Sequence, residues 1–292
     1  METNEWTSRV AFLGPTGTFT ELATKELFPN EWIIPFKTIP ECIEAVDSGQ
    51  VDIAVVPVEN ALEGSVPLTI DYLFHEADLF ISAEVLSPIE QHLMMHKDQV
   101  NQLENLDRVY SHPHALAQCH KYLYYHFKSV PLSQTTSTAA AAQYVSEHPE
   151  LTIAAVANVG AAKQYGLEIV EHNIHDFHFN HTRFFVLSKR NDRIERAGDK
   201  NQIKTTLMIK LPIDRSGGLH QVLSVFAWRQ INLSKIESRP LKTGLGDYFF
   251  IIDLLEDENA PLMKGALEEL RALGCSVKSL GSYYTYQQSN AK

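Results

Sequence analysis

The stretch of sequence that indicates the fold is VDIAVVPVEN, residues 51–60, an apolar run that ends in the polar pair Glu59-Asn60. A similar run, LTIAAVAN, occupies residues 151–158 and also ends in an asparagine. Short, continuous apolar runs bounded by polar or turn residues are typical of strands that are buried on both faces. We therefore interpret the two runs as corresponding strands of two repeated units.

Each run closes a pattern of alternating strands and helices. Successive β-α-β connections are right-handed and give a parallel sheet covered by helices. The sequence therefore predicts two α/β lobes at about 8–85 and 86–182, with crossing strands near 81–96 and 178–187, within one domain of residues 1–190. The predicted elements are a strand at 9–14, a helix at 19–27, a strand at 32–36 and a helix at 40–49 in the first lobe, and a strand at 108–110, a helix through 117–125, a strand at 129–132 and an alanine-rich helix at 139–147 in the second.

Polar and hydroxyl-bearing side chains follow many of these strands. In parallel sheets ligands collect at the carboxyl ends of strands, where helix N-termini present free N–H groups. Each residue by itself is as well explained as a helix cap, but the whole set favours a cleft for a small ligand with more than one carboxylate. The set comprises Thr16, Thr18, Glu59, Asn60, Gly64, Ser65, Ser111, His112, Ser137, Thr138 and Asn158.

The pattern changes in the last third of the chain. Residues 191–201 are charged and lack apolar periodicity, which is typical of a linker. Residues 202–292 then follow the order β-α-β-β-α-β, with a turn signal at 244–247. This order predicts an α+β module of the ferredoxin-like type. It contains no acid–base cluster, so we expect binding or regulation there rather than chemistry.

Composition limits the possible partners and the compartment. The formal net charge of −11 argues against a nucleic-acid partner, which needs a basic surface. Three cysteines without C-x-x-C spacing indicate a reducing compartment. The polar start of the chain shows no signal peptide, and no apolar run reaches the length of a membrane span. We therefore expect a cytoplasmic protein with no membrane partner.

One triplet, Thr182-Arg183-Phe184, combines two groups that are useful in catalysis. A threonine hydroxyl can donate a proton to a leaving oxygen, and an arginine can hold a carboxylate through two hydrogen bonds. The triplet precedes a strand-like apolar run, so the two side chains should alternate between the faces of a strand. Arg183 therefore either holds substrate or faces away and forms a structural ion pair.

Taken together, six ordered motifs resemble those of prephenate dehydratases that carry a C-terminal ACT domain, and the resemblance covers essentially the whole chain. It implies a catalytic fold similar to type II periplasmic binding proteins, followed by an ACT regulatory domain. It also implies a carbon–oxygen lyase that converts prephenate to phenylpyruvate, CO₂ and water in phenylalanine synthesis, without a cofactor or metal. The motifs are GPxGTF from Gly14, VPVEN from Val56 with Gly64-Ser65-Val66, Ser111-His112-Pro113 with Gln118-Cys119, Ser137-Thr138-Ala139-Ala140, Asn180-x-Thr182-Arg183-Phe184, and Glu237-Ser238-Arg239-Pro240.

The resemblance also assigns roles to individual residues. Thr182 becomes the proton donor to the departing ring hydroxyl, and Glu59 should be hydrogen-bonded or protonated beside a dianionic substrate. The implied catalytic set is Thr182, Arg183, Phe184, Glu59 and Asn60; the substrate-binding set is Ser65, Ser111, His112, Gln118, Ser137 and Thr138; and the phenylalanine-binding set is Gly217, Gly218, Leu219, Glu237, Ser238, Arg239 and Pro240, with the last motif placed between two strands.

Two departures and several alternatives accompany this interpretation. His114 stands where the family usually has glutamine, and Gly218 with His220 alters the family's Gly-Ala-Leu motif. Inhibition by L-phenylalanine is expected, in a homodimer or homotetramer formed through paired ACT domains. The alternatives are an arogenate dehydratase and a non-catalytic two-lobed sensor of amino acids or anions. The histidines at 172, 175, 178 and 181 resemble a metal tract, but their three-residue spacing favours no common face.

Overall fold

The computed structural model describes residues 8–195, 202–213, 216–242 and 247–288. Its first lobe has the strand and helix order that the sequence predicts. Three strands at its centre run parallel in the order β2-β1-β3. The elements of this lobe are β1 (Arg9–Leu13), α1 (Phe19–Leu27), β2 (Trp32–Phe36), α2 (Ile39–Asp47), β3 (Ile53–Asn60), β4 (Gly64–Ser65), α3 (Pro67–His75) and β5 (Phe80–Pro88).

The second lobe repeats this arrangement, with three parallel strands in the order β8-β7-β9. The strand predicted at 129–132 lies further along the chain, because its pairing with β7 begins only at Leu132. The elements are β6 (His92–His96), a 3₁₀ segment (Lys97–Asn105), β7 (Arg108–Ser111), α4 (Pro113–Gln118), α5 (His120–His126), β8 (Leu132–Gln134), α6 (Thr138–Glu147), β9 (Ile153–Ala157), α7 (Val159–Tyr165) and β10 (Leu167–Glu171).

Two connections join the lobes and form a hinge. The chain leaves the first sheet at the end of β5 and enters the second at β6, which pairs with β9 and β10. It returns as β11 (His181–Ser188), which inserts between β5 and β3 and is antiparallel to both. The face of each lobe at which the parallel strands end is therefore turned toward the other lobe.

The C-terminal module has the predicted β-α-β-β-α-β order, and its strands are arranged β13-β14-β12-β15. The motif Glu237–Pro240 lies inside β13, not between two strands as predicted, because pairing with β14 continues to Pro240. Residues 196–201 of the expected linker and 244–246 of the expected turn lie outside the described residues. The elements are β12 (Ile203–Lys210), α8 (Gly218–Ala227), β13 (Leu233–Pro240), β14 (Tyr248–Leu254), α9 (Pro261–Ala272) and β15 (Ser276–Gln287).

The module is fused to the first lobe through a shared sheet. Strand β15 pairs in parallel with β5, so that in the described part of the chain ten strands form one sheet. An apolar core continues across the junction, where Phe249 and Tyr283 pack in one cluster with Ile70 and Phe185. No helix among the described residues is long and apolar enough to cross a membrane.

Candidate active site

A cavity of about 440 Å³ lies between the lobes at the carboxyl ends of the parallel strands. Both lobes and the hinge contribute to its wall. The lining combines apolar residues with hydroxyl, amide, imidazole and ammonium groups, as expected for a small polar ligand with an apolar part. The lining residues are Leu13, Gly14, Thr18, Phe19, Thr20, Lys37, Pro57, Asn60, Ile89, Gln91, His112, His114, Ala115, Gln118, Thr136, Ser137, Thr138, Thr182 and Phe184.

A hydrogen bond between Asn60 and Thr182 lies in the wall of this cavity. The two residues are direct partners in the β3–β11 ladder, and Asn60 Nδ2 donates to Thr182 Oγ1 at 2.9 Å. The amide orientation is fixed because Asn60 Oδ1 accepts from the backbone N–H groups of Leu62 and Glu63, at 3.0 and 3.2 Å. The Thr182 hydroxyl therefore accepts from Asn60 and keeps its own proton for a ligand.

Helix N-termini supply anion-binding groups from both lobes. The cap of α1 is Thr18 and the cap of α6 is Ser137, and each side chain accepts a backbone N–H of its own helix. The caps confirm the helix-cap interpretation of these residues. The first-turn residues Thr20 and Thr138 line the cavity, so the remaining free N–H groups face a common space. The two positive helix ends suit an anionic group bound between the lobes.

Lys37 adds a full positive charge to this cavity. Of the described lining residues it alone carries an ammonium group, and no described carboxylate forms an ion pair with it. Sequence reasoning missed Lys37, although its place directly after β2 at the carboxyl end of a parallel strand was a usable signal. Gln91 was also missed: it is 2% exposed, and its Oε1 has no hydrogen-bond partner among the described residues.

His112 presents a neutral imidazole to the cavity. Burial, together with the neighbouring His114, lowers its pKa. The backbone N–H of His114 donates to Nδ1 of His112 at 3.3 Å, so the neutral ring carries its proton on Nε2. His112 therefore offers an N–H donor to an anion without adding charge.

A contact across the cleft mouth links the lobes. Glu63, in the turn between β3 and β4, has its Oε2 2.6 Å from Nδ1 of His114 on α4. Gln118 Nε2 donates to the other oxygen of Glu63 at 3.3 Å. His114, the residue that departs from the family pattern, thus completes a lobe–lobe contact beside the cavity.

Arg183 does not line the cavity, because strand alternation turns it to the opposite face from Thr182. Its guanidinium donates to Glu59 at 2.6 Å, to Glu84 at 2.5 Å and to Asp253 of the C-terminal module at 2.6 Å. Burial by itself would lower the pKa of Arg183, but the facing carboxylates of Glu84 and Asp253 raise it. The structure corrects the prediction that Arg183 holds substrate, and the alternative of a structural ion pair applies.

Three other predicted site residues also lie outside the cavity lining. Burial alone would raise the pKa of Glu59, but hydrogen bonds from Arg183 and Lys235 lower it, so the carboxyl is ionised rather than protonated. Ser65 contacts Lys235 and Glu237 of β13. The hydroxyl of Ser111 donates to the backbone oxygen of Val156 at 2.6 Å and is fully buried. Each is a structural contact of the strands that carry the site.

Strand alternation likewise divides the residues predicted to bind phenylalanine. Glu237 and Arg239 turn toward the first lobe, where Arg239 pairs with Asp71 at 3.1 Å, whereas Ser238 and Pro240 are exposed on the other face of β13. Gly217, with a φ of 83°, is the N-cap of α8, which begins with buried Gly218 and Leu219. In the described part of one chain, Gly218 lines a small cavity to which none of residues 237–240 contributes.

The histidine-rich segment is not arranged as a metal site. His175 and His178 contact each other at 3.3 Å, and His92 packs edge-on against His172. Among the described residues, no group of three or more histidine, cysteine, aspartate or glutamate side chains is positioned to hold a metal ion. Cys119 is fully buried, and burial raises the pKa of its thiol.

The fold and cavity define a two-lobed α/β protein for small anionic ligands, joined to a ferredoxin-like module. The sequence model of the prephenate dehydratase family matches residues 10–192, and that of the ACT domain matches residues 205–272. A prephenate dehydratase of Bacillus subtilis strain 168 is 53% identical over 96% of this chain and 99% of its own length. The chain therefore belongs to the prephenate dehydratase family and carries an ACT domain.

Two solved structures resemble the whole chain. A prephenate dehydratase of Arthrobacter aurescens, in complex with L-Phe, is 34% identical and covers 94% of this chain and 89% of its own, with a TM-score of 0.84. GqqA, described as a novel type of quorum quenching acylase, is 30% identical and covers 95% and 98%, with a TM-score of 0.83. The predicted resemblance to prephenate dehydratases with an ACT domain is confirmed by the family matches.

Proposed function

We propose that the protein is a prephenate dehydratase whose cleft binds prephenate and whose Thr182–Asn60 pair expels the ring hydroxyl. Residues 1–190 would carry the reaction and 202–292 its regulation, joined by residues 191–201. The observation that supports this most directly is the hydrogen bond from Asn60 to Thr182 in the wall of an anion-binding cavity. No cofactor or metal enters the proposed reaction.

The reaction requires two bonds to break and one proton to be supplied. The bond between the ring and its carboxylate breaks, and its electron pair moves into the ring as CO₂ leaves. The ring then expels its hydroxyl, which takes the proton of Thr182 and departs as water. Asn60 stabilises the threonine oxygen as it loses that proton, and solvent returns a proton to it afterwards. A neutral hydroxyl is a weak acid, so this fixed donor supplies the preorganisation that the step needs.

The cavity offers separate groups for the charged part and the apolar part of the substrate. Lys37 and the N-termini of α1 and α6 would hold the carboxylate that remains in the product. His112 would donate through Nε2 to the same anionic end. Phe19 and Phe184 contribute apolar surface against which the ring, which becomes aromatic, can pack. Placing the departing carboxylate at this apolar side favours its loss as neutral CO₂.

An acylase reaction, the activity that the description of GqqA names, is less well supported by this cavity. Covalent acyl transfer needs a nucleophile activated by a base within hydrogen-bond reach. Among the described lining residues, no serine or threonine hydroxyl is hydrogen-bonded to a histidine; Ser137 Oγ accepts a helix N–H, and Thr182 is paired with Asn60. The arrangement therefore favours dehydration.

The test is formation of phenylpyruvate from prephenate by the purified protein, with arogenate as the comparison substrate. Thr182→Ala should lower kcat about 10²–10⁴-fold, as loss of a general acid does, while Thr182→Ser should retain most activity. Thr152→Ala is the matched control, because Thr152 precedes β9 at the end of the sheet away from the cavity. Wild-type protein that turns over neither substrate would refute the proposal.

We also propose that L-phenylalanine binds the ACT domain and that the chain forms a homodimer or homotetramer. The A. aurescens relative was solved with L-Phe. Here β13 is an edge strand of the sheet and exposes Ile236 and Ser238 on one face, where a second copy can complete an effector site. Calorimetry should detect phenylalanine binding that Ser238→Ala weakens and Ser234→Ala, on the same face of β13, leaves unchanged; sedimentation should show an oligomer. Unchanged affinity in Ser238→Ala would remove Ser238 from the site.

The three cysteines agree with a reducing compartment such as the cytoplasm, which we propose as the location. Cys42, Cys119 and Cys275 are all buried free thiols. Burial raises the pKa of Cys42 to about 12, so this thiol is unreactive at neutral pH.

A further inference from the structure

The C-terminal module contacts the hairpin of residues 59–65 that carries Asn60. Strands β3 and β4 pair Glu59 with Ser65 and Asn60 with Gly64. From β13, Lys235 Nζ lies 3.0 Å from Glu59 Oε1 and donates to Ser65 Oγ at 2.6 Å. One ammonium group therefore contacts both strands of the hairpin, and its side chain is only 11% exposed.

Other contacts also hold the hairpin, from Arg183 to Glu59 and from His114 to Glu63, but its backbone pairing is short and irregular. Strand β4 contains two residues, and the register between β11 and β3 shifts immediately beyond Arg183. Pro57, opposite Phe184, has no backbone N–H to give to the ladder. Because the backbone ladder is short and irregular here, side-chain contacts have a large share in fixing the position of residues 59–65.

The position of this hairpin determines the geometry of the reacting pair. Its turn supplies the N–H groups of Leu62 and Glu63 that orient the Asn60 amide. Asn60 in turn donates to Thr182, and the neighbouring pair in the ladder is Glu59 with Arg183. A shift of Glu59 or Ser65 would therefore move Asn60 and change its hydrogen bond to Thr182.

We propose that Lys235 of the ACT domain is a positioning residue for the active site, holding the 59–65 hairpin so that Asn60 meets Thr182. This inference rests on the proposed dehydratase function. Glu237 assists, because it accepts from Ser65 and lies 3.4 Å from Lys235. Lys235 and Glu237 are both on β13, the strand whose opposite face is exposed, so displacement of β13 changes catalysis without any contact between module and substrate.

The test compares Lys235→Met with Lys278→Met in the full-length protein. Lys278 is a matched control: it is also a part-buried lysine of the module, and its Nζ donates to Leu73 and Ala77 of the first lobe, away from the hairpin. Lys235→Met should lower kcat for prephenate about 10–100-fold, the effect of misplacing a catalytic group by roughly 1 Å, with KM within about twofold. Lys235→Arg should recover most of kcat, and Lys278→Met should lower the melting temperature without changing kcat.

A second variant covers the case in which Lys235→Met does not fold. Ser65→Ala removes the hydroxyl that accepts from Lys235 and donates to Glu237. It should give a smaller loss of kcat, again with KM unchanged. Normal kcat in Lys235→Met, or an equal loss of kcat in Lys278→Met, overturns the proposal. Absence of turnover in the wild type would instead overturn the dehydratase function, so the two failures are distinguishable.

Discussion

Replacing Arg183 with methionine should destabilise the protein far more than it weakens substrate binding. The Arg183 side chain is 14% exposed, and its guanidinium faces Glu59, Glu84 and Asp253, of which the Glu84 side chain is fully buried and that of Asp253 is 1% exposed. Methionine fills a similar space but leaves these carboxylates without their shared cation. The prediction separates a structural role for Arg183 from a role in holding prephenate.

The magnitude follows from what remains around each carboxylate. After the change Glu84 keeps Lys204 at 2.7 Å, and Asp253 keeps the hydroxyl of Thr206 at 2.7 Å. Removing one partner from a buried ion pair costs about 3–5 kcal/mol, and these remaining contacts place the expected loss near the lower end, about 3 kcal/mol. Arg193→Met is the control, because Arg193 pairs with Asp257 nearer the surface, where a pair contributes about 0–1 kcal/mol.

The assay is equilibrium unfolding in denaturant at pH 7, combined with steady-state kinetics well below the melting temperature. We expect the loss of about 3 kcal/mol in Arg183→Met, with KM for prephenate changed by less than about threefold, since substrate contacts are untouched. Unchanged stability together with a tenfold or larger rise in KM would refute the reasoning and return Arg183 to the substrate site.

The same cluster predicts how stability depends on pH. Burial alone would raise the pKa of Glu59 and Glu84, but the facing cations lower both below the ordinary value. A lowered folded-state pKa means that the unfolded state binds more protons in acid. The stabilisation is therefore present above pH of about 4.3 and is lost as the pH falls below it. This acid dependence should be weaker in Arg183→Met, and an unchanged dependence would contradict the assignment.

Three further predictions concern other parts of the molecule. Lys37→Gln should raise KM for prephenate about 10–100-fold with a smaller effect on kcat, because a charge-assisted hydrogen bond contributes about 1.5–3 kcal/mol; an unchanged KM would remove Lys37 from the site. The effects of Glu63→Gln and His114→Gln on kcat/KM should not add in the double variant. The coupling energy should be at most about 1 kcal/mol, because the pair is partly exposed. Full additivity would refute the lobe–lobe contact. Burial and neighbouring histidines lower the pKa of His92 to about 4. Between pH of about 6.5 and 4, only the unfolded state therefore binds a proton at this residue. The free energy of unfolding should fall by about 2 kcal/mol as the pH decreases through this window, a value reduced for partial solvation of the ring. His92→Gln should flatten this dependence in unfolding curves, and the exposed His120→Gln should leave it unchanged.

The repeated α/β pattern was predictable because its signal is local. An apolar run such as residues 153–157, buried at every position, can be recognised without knowledge of its neighbours. The helix caps at Thr18 and Ser137 are also local, since each side chain bonds an N–H three residues along the chain. These features placed the cavity at the correct end of both sheets.

Contacts between distant segments were not predictable in the same way. Alternation along β11 indicates that the side chains of Thr182 and Arg183 point to opposite faces of the sheet. The residues that Arg183 contacts, however, depend on where the C-terminal module packs. The pairing of β15 with β5 brings Asp253 and Lys204 to that face. No pattern in either strand encodes its partner, because an exposed strand edge offers the same backbone groups to any other.

A cluster of charged side chains lies on the face of the sheet opposite the cavity, and this placement suits a dianionic substrate. Behind β3 and β11, the cations Arg183, Lys204 and Lys235 face four carboxylates, those of Glu59, Glu84, Asp253 and Glu237. Because the charges nearly cancel, an ionised Glu59 one residue from Asn60 adds little repulsion to the cavity. The cavity itself then needs only neutral donors, helix ends and Lys37. Lys235 therefore acts on the reaction through the position of Asn60, which its contacts with Glu59 and Ser65 fix.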